Sequence, residues 1–440
     1  MIDTAFGYLD DLNDRSIGQT PQEVLMEVAE IINDAYKHLS DMAGVGQQDL
    51  AYQLVPALQR WFTSVGAANT IFFRAKLEEN YEIYWYDPDD LPHKKRSQTL
   101  ERAIADITWD FARVTVPSKA FSYLPHMAIV AHEIGHAIYK SIPVSVPDIA
   151  QERMIGAVRR RLSKNGMPFT TETEKLIGEI RDDWLEELTA DAVSYFLAGP
   201  AAFFALSEFL GFFGKEYGFN QKYPPHSVRR GILFRQLQTD GFVAVFEEHT
   251  SQVITEDFNS ALMKVTPTAD ALFEAEKEFF GTRSAERAAI FSELPTQILD
   301  LVPWIYENVG QHLTRVAPKQ LYTASRLDDD LDKHLQPLLM ALPPIETDGP
   351  RSPKRVVTER EIDLKLTNKV PVEFASILNI GWAALLTKHT ELKIKPSGSS
   401  DEDCERLESI HGLLLKAVEL SEALRSWKHF EVDDGSTVGI

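Results

Sequence analysis

The chain is poor in cysteine, in basic residues and in long apolar runs, and each shortage closes off a class of protein. A single cysteine, Cys404, rules out an intramolecular disulfide framework and any cysteine-built metal site, and it fits a reducing compartment. Asp and Glu outnumber Lys and Arg by 66 to 45, a formal net charge of -21, so no surface for nucleic acid or anionic lipid is expected. The most apolar stretches, 201–213 and 374–386, are interrupted by charge or too short to cross a bilayer. Met1-Ile2-Asp3-Thr4-Ala5 lacks the basic region and apolar core of a signal peptide. These absences predict a cytoplasmic protein without a membrane span. Its 440 residues, 44% of them hydrophobic, suffice for a sizeable core in two or three domains.

What the chain does have is Ala131-His132-Glu133-Ile134-Gly135-His136-Ala137. On a helix, residues four apart stand one turn above each other, so His132 and His136 can aim two imidazoles at one point. That is the arrangement for binding Zn2+, one ion per chain. Glu133, on the rim of the same face, can act as general base on a water that the metal has made acidic. A third ligand must come from elsewhere, and Asp182-Asp183-Trp184-Leu185-Glu186-Glu187-Leu188-Thr189-Ala190-Asp191 offers one. Glu187 and Asp191 are again four apart, so one carboxylate can reach the metal while the other orients a ligand imidazole. Glu186 and Asp183 are alternative ligands on the same segment.

HExxH followed by ExxxD resembles the gluzincin metallopeptidases, and the ending Glu187-Leu188-Thr189-Ala190-Asp191 looks closest to soluble bacterial relatives of the CAAX prenyl endopeptidases. The resemblance covers about 112–240. It implies His132, His136 and Glu187 as metal ligands, Glu133 as base and Asp191 as partner of His132. A metzincin would need Gly and His at positions that here hold Tyr139 and Ile142. The lack of spanning helices sets the chain apart from the membrane-embedded prenyl endopeptidases. In the related enzymes a His-Pro segment with a following Arg comes after the ExxxD helix. Tyr223-Pro224-Pro225-His226-Ser227-Val228-Arg229-Arg230 is a variant of it, with the His after the prolines. Tyr223 or His226 is then the candidate donor to the oxyanion, and Arg229 or Arg230 the candidate partner of a site carboxylate. The resemblance also suggests Arg113–Val116, a strand just before the motif, as the edge along which a peptide substrate pairs.

Around this core the pattern predicts a mainly α protein with a small β-sheet, a zincin-like metallopeptidase core with helical extensions. The expected divisions are an N-terminal helical segment (1–66), the core (67–240), a helical extension (241–341), a Pro-rich linker (342–356) and a C-terminal helical hairpin (357–440). Helices are expected near 21–42, 48–65, 98–110, 147–164, from Thr171 to Leu197 with a capping box closed by Glu174, then 242–248, 257–264, 268–280, 285–314 broken at Pro295 or Pro303, 319–340, 371–390 and 402–428. Thr70–Lys76 and Tyr81–Tyr86 read as a hairpin. The functional expectation is a zinc-dependent endopeptidase acting on a protein or peptide. Two other readings stay open: a regulatory metalloprotease dedicated to one partner protein, and a helical scaffold with a vestigial or structural metal. The broad apolar face of the last helix is expected either to dock back onto the body or to form a hairpin that binds a protein partner.

Overall fold

The computed structural model describes residues 54–67, 70–76, 81–85, 111–117, 123–143, 148–212, 222–250, 285–344, 346–347, 369–387 and 400–434. The helices expected at 21–42, 98–110, 257–264 and 268–280 lie outside these residues. The described chain is mostly helical, with twelve α-helices. They are α1 (Leu54–Ser64), α2 (Val130–Ile138), α3 (Asp148–Lys164), α4 (Thr171–Ala198), α5 (Pro200–Phe212), α6 (His226–Thr239), α7 (Phe242–Thr250), α8 (Ala285–Leu299), α9 (Val302–Val316), α10 (Ala324–Leu339), α11 (Phe374–Leu386) and α12 (Ser400–Asp434). Among the described residues no helix is long and apolar enough to cross a membrane.

The organising element is α4. Its first half buries Thr173, Ile177, Ile180 and Trp184, spaced three or four apart, which is the single stripe of an amphipathic helix. From Glu187 to Tyr195 every residue is buried, so here the helix is surrounded. The motif helix α2 packs along it on one side, α9 on another, and α5 and α6 close the far end. The amino-terminal cap is Thr170, whose Oγ1 accepts the Thr173 amide at 3.2 Å while the Thr173 hydroxyl accepts the Thr170 amide at 3.3 Å. The box is thus one residue earlier than expected and closed by Thr173 instead of Glu174. At the other end Gly199 has φ +55°, a conformation that suits glycine, and Pro200 opens α5 at once. Asn379 of α11 fills this corner: it accepts the Ala201 amide at 2.9 Å and donates to the Ala198 carbonyl at 2.8 Å.

Three strands, β1 (Thr70–Lys76), β2 (Glu82–Trp85) and β3 (Phe111–Pro117), form a sheet in the order β1-β3-β2. β1 runs parallel to β3 and β2 antiparallel to it, with Phe73 and Ile83 both opposite Val114. The expected hairpin of β1 and β2 is therefore incorrect: β3 lies between them. The expectation that Arg113–Val116 is a free substrate edge also falls, because Arg113, Val114 and Thr115 are paired on both sides and Val116 pairs with β1. Val114, Thr115 and Val116 are buried, as a central strand requires. Pro295 is absorbed within α8, and the break before α9 comes at residues 300–301, with Pro303 in the first turn of α9. Glu346–Thr347 within the expected linker pairs antiparallel with Lys369–Val370, forming β4 and β5.

The C-terminal helices are built into the body. α11 packs against α4, α5, α7 and α10 and against the 3-10 turn Leu124–Ile129 that leads into α2, while α12 covers α11 and α1. Trp61 of α1 meets Phe374 of α11 edge to face, ring centroids 5.4 Å apart.

Candidate metal centre

The centre forms where α2 and α4 touch. Their approach is set by Gly135: a Cβ at this position would fall 2.4 Å from the Ala190 Cα and 2.9 Å from its carbonyl oxygen. Any side chain there would push the two helices apart. Gly135 lies between the two histidines, and Ala190 between Glu187 and Asp191, so this one contact brings both motifs into register.

His132 Nε2 and His136 Nε2 lie 3.1 Å apart. Glu187 reaches both, with Oε2 3.4 Å from His132 Nε2 and Oε1 3.5 Å from His136 Nε2. Two bonds of about 2.0–2.1 Å meeting at the tetrahedral angle put their donors about 3.3 Å apart, a spacing close to that between the two Nε2 atoms and from each to its nearer Glu187 oxygen, so one ion could be shared among the three side chains. His132, His136 and Glu187 thus form a buried cluster that could hold a metal ion.

The outer contacts determine which nitrogens point inward. His132 Nδ1 is 2.9 Å from Asp191 Oδ1, and His136 Nδ1 donates to Glu186 Oε1 at 2.9 Å. A carboxylate beside Nδ1 favours the proton there, which leaves the lone pair on Nε2. Two lone pairs and a carboxylate then face one another, and a shared positive charge is what reconciles them. Protonation shows the same pull: burial opposes charge on His132, yet Asp191 and Glu187 outweigh it and raise its pKa to about 10. Burial likewise works against ionised Glu187, but Arg229 and the two imidazoles hold its carboxyl below the usual range.

Arg229 enters from α6. Its Nε and Nη2 donate to Asp191 at 2.8 and 2.7 Å, a forked pair, and Nη1 lies 3.3 Å from Glu187 Oε2. Against the cost of burial, this pairing keeps the Asp191 carboxyl well below its ordinary value. Among the described residues the buried carboxylates and cationic side chains are Glu133, Glu187, Asp191 and Arg229. With both imidazoles neutral, the form in which they ligate a metal, three formal negative charges stand against one positive, a deficit that a divalent cation would fill.

Glu133 follows His132 on α2 and is 7% exposed. The hydroxyl of Tyr81, just before β2, feels its charge: burial first and Glu133 second raise the Tyr81 pKa. Glu186, an alternative ligand in the sequence, serves His136 from the solvent side with 43% of its side chain exposed, and Asp183 is outside the cluster. Neither Tyr223 nor His226 belongs to the donor triangle. Tyr223 is half-buried and close enough to act electrostatically on Arg229. His226 is the first residue of α6, where burial, then Arg229 and Arg230, push its pKa down to about 4. The Gly135–Ala190 contact and Tyr81 were not signalled by the motifs; a glycine inside a short helix was the one visible hint. No protein-family model, no curated protein and no solved structure matches this chain, so the centre stands on its own geometry.

Proposed function

We propose that the protein is a zinc-dependent endopeptidase of the gluzincin type, with a zincin-like core in which His132, His136 and Glu187 hold the metal. The observation that supports this reading is the triangle of inward-facing donors, with two negative charges left over around it. Zinc bound there would supply a lowered water pKa and a polarised substrate carbonyl. Glu133 accepts the proton of the attacking water and delivers it to the leaving amine nitrogen, so that the amide C–N bond breaks with the proton accounted for. Asp191 and Glu186 hold the imidazoles in the tautomer that points Nε2 inward, and Arg229 anchors Asp191. Tyr223 or His226 donates to the oxyanion. Substrate enters past His136, the most open of the three ligands at 19% side-chain exposure against 9% and 4%. With β3 internal, an extended peptide pairs at β2, the strand packed against α2.

A second reading, a structural metal, draws support from the low exposure of the ligands. A buried Glu133 beside the site argues for catalysis, because a structural site has no use for it. Elemental analysis of wild type beside Glu133→Gln and Glu187→Ala, paired with digestion of an unstructured peptide library, tests both. The expected result is about one zinc per chain in wild type and Glu133→Gln, depletion in Glu187→Ala, and cleavage by wild type alone. Zinc without cleavage would favour the structural reading, and no metal in a folded wild type would overturn both.

A further inference from the structure

The motif helix does not begin at α2. The 3-10 turn Leu124–Ile129 runs into it without a break, and the residue before that turn, Tyr123, supplies no side-chain cap. This buried end is satisfied from far along the chain. The Leu124 amide donates to Nδ1 of His411, on α12, at 3.0 Å, across 287 residues. The next carbonyl, that of Pro125, accepts the indole N–H of Trp382, on α11, at 3.1 Å. Gly381, beside Trp382, lets the helices pack closely: a Cβ there would come 3.3 Å from the Pro125 ring and 2.6 Å from the end of the Leu414 side chain. One acceptor and one donor from the two C-terminal helices thus grip a single turn, eight residues before His132.

We propose that His411 is a positioning residue for the metal centre, acting through the Leu124 amide to fix where the motif helix starts and hence where His132 and His136 point. This rests on the metal reading of the preceding section. A helix-borne donor triangle with sides of 3.1 to 3.5 Å tolerates little drift, since ligand sites lose affinity when displaced by about half an ångström. The role requires a neutral ring with its lone pair on Nδ1. Burial lowers the His411 pKa and so favours the neutral ring, and the Leu124 N–H pointing at Nδ1 places the lone pair there.

The test compares three variants in the full chain. Asn at 411 can place its carbonyl oxygen near the position of Nδ1 and keep an acceptor, whereas Phe keeps bulk and removes it. Leu414→Ala loosens the same helix interface without touching the hydrogen bond and serves as the stability control. The readouts are zinc affinity, by competition with a chromogenic chelator, and hydrogen exchange at the Leu124 amide in zinc-free protein. His411→Phe is expected to weaken zinc about tenfold and to speed exchange at Leu124, while His411→Asn stays close to wild type in both. Leu414→Ala is expected to lose stability with a smaller loss of zinc affinity. Unchanged zinc affinity in a folded His411→Phe, or equal weakening in a Leu414→Ala of matched stability, would overturn the proposal alone. A wild type with no affinity for zinc would overturn the metal reading as well.

Discussion

Two ionic clusters in this molecule look alike on a list of contacts and differ in their sums. Where α1 meets α12, Arg60 forks onto Glu422 at 2.6 and 2.5 Å, Glu422 also accepts from Arg425 at 2.8 Å, and Arg425 lies 3.0 Å from Glu373. Two cations alternate with two anions, the side chains remain partly exposed, and nothing more is required. At the junction of α2, α4 and α6, with the imidazoles counted as neutral, the sum is three buried carboxylates, Glu133, Glu187 and Asp191, to one guanidinium. The closed sum marks a brace, and the open sum marks a place for something else.

The largest expected break in this contrast comes from Arg229→Leu. It strips the buried guanidinium from the open cluster, and in chelator-treated protein it should cost about 3–5 kcal/mol in urea unfolding, the usual penalty for orphaning a buried charge. A loss no greater than that of a mutation in the brace would erase the distinction. Gly135→Ala ranks next. Its methyl group meets the backbone of Ala190, which cannot step aside, so a loss toward the upper end of about 1–3 kcal/mol is expected together with depleted zinc by elemental analysis.

A smaller effect concerns acid. His226 has a depressed pKa in the folded chain, near 4, against about 6.5 unfolded. The unfolded chain takes up its proton first, so this contribution to stability is complete above about pH 6.5 and is lost as pH falls toward 4. His226→Gln should remove that slope, a difference on the order of 1 kcal/mol once partial solvent screening is allowed for. Parallel stability profiles for the two proteins between pH 7 and 4 would contradict it. Smallest of all, Glu422→Gln in the brace should cost less than about 1 kcal/mol by thermal unfolding, with zinc content unchanged.

Local spacing carried much of this centre. His132 and His136 can be paired from their separation of four, and so can Glu187 and Asp191, because the helix repeat turns sequence distance into spatial distance. The same repeat made most helices readable, and their ends shifted where a competing group took over, as Thr173 did from Glu174. Strand order was not readable: β1 and β2 are neighbours in sequence, and the partner of each arrives only at Phe111. The clash that keeps residue 135 a glycine was equally hidden, since nothing near Gly135 announces Ala190. Arg229 stood beside Arg230 with equal claim until α6 turned one of them toward Asp191. Each of these depends on which surfaces meet, which a one-dimensional pattern does not encode.

The corner at Gly199–Pro200 has a consequence in time. The Ala201 amide finds its acceptor in Asn379, 178 residues later, and Asn379 also takes the Ala198 carbonyl that ends α4. A ribosome therefore completes both halves of the His132–His136–Glu187 cluster long before it delivers the side chain that seals the end of the helix bearing Glu187 and Asp191. At about 5–20 residues per second the interval is roughly ten to thirty seconds. For that interval the nascent helix has an open end, and a fragment cut to residues 112–240, the span that carries both motifs, would keep it open permanently.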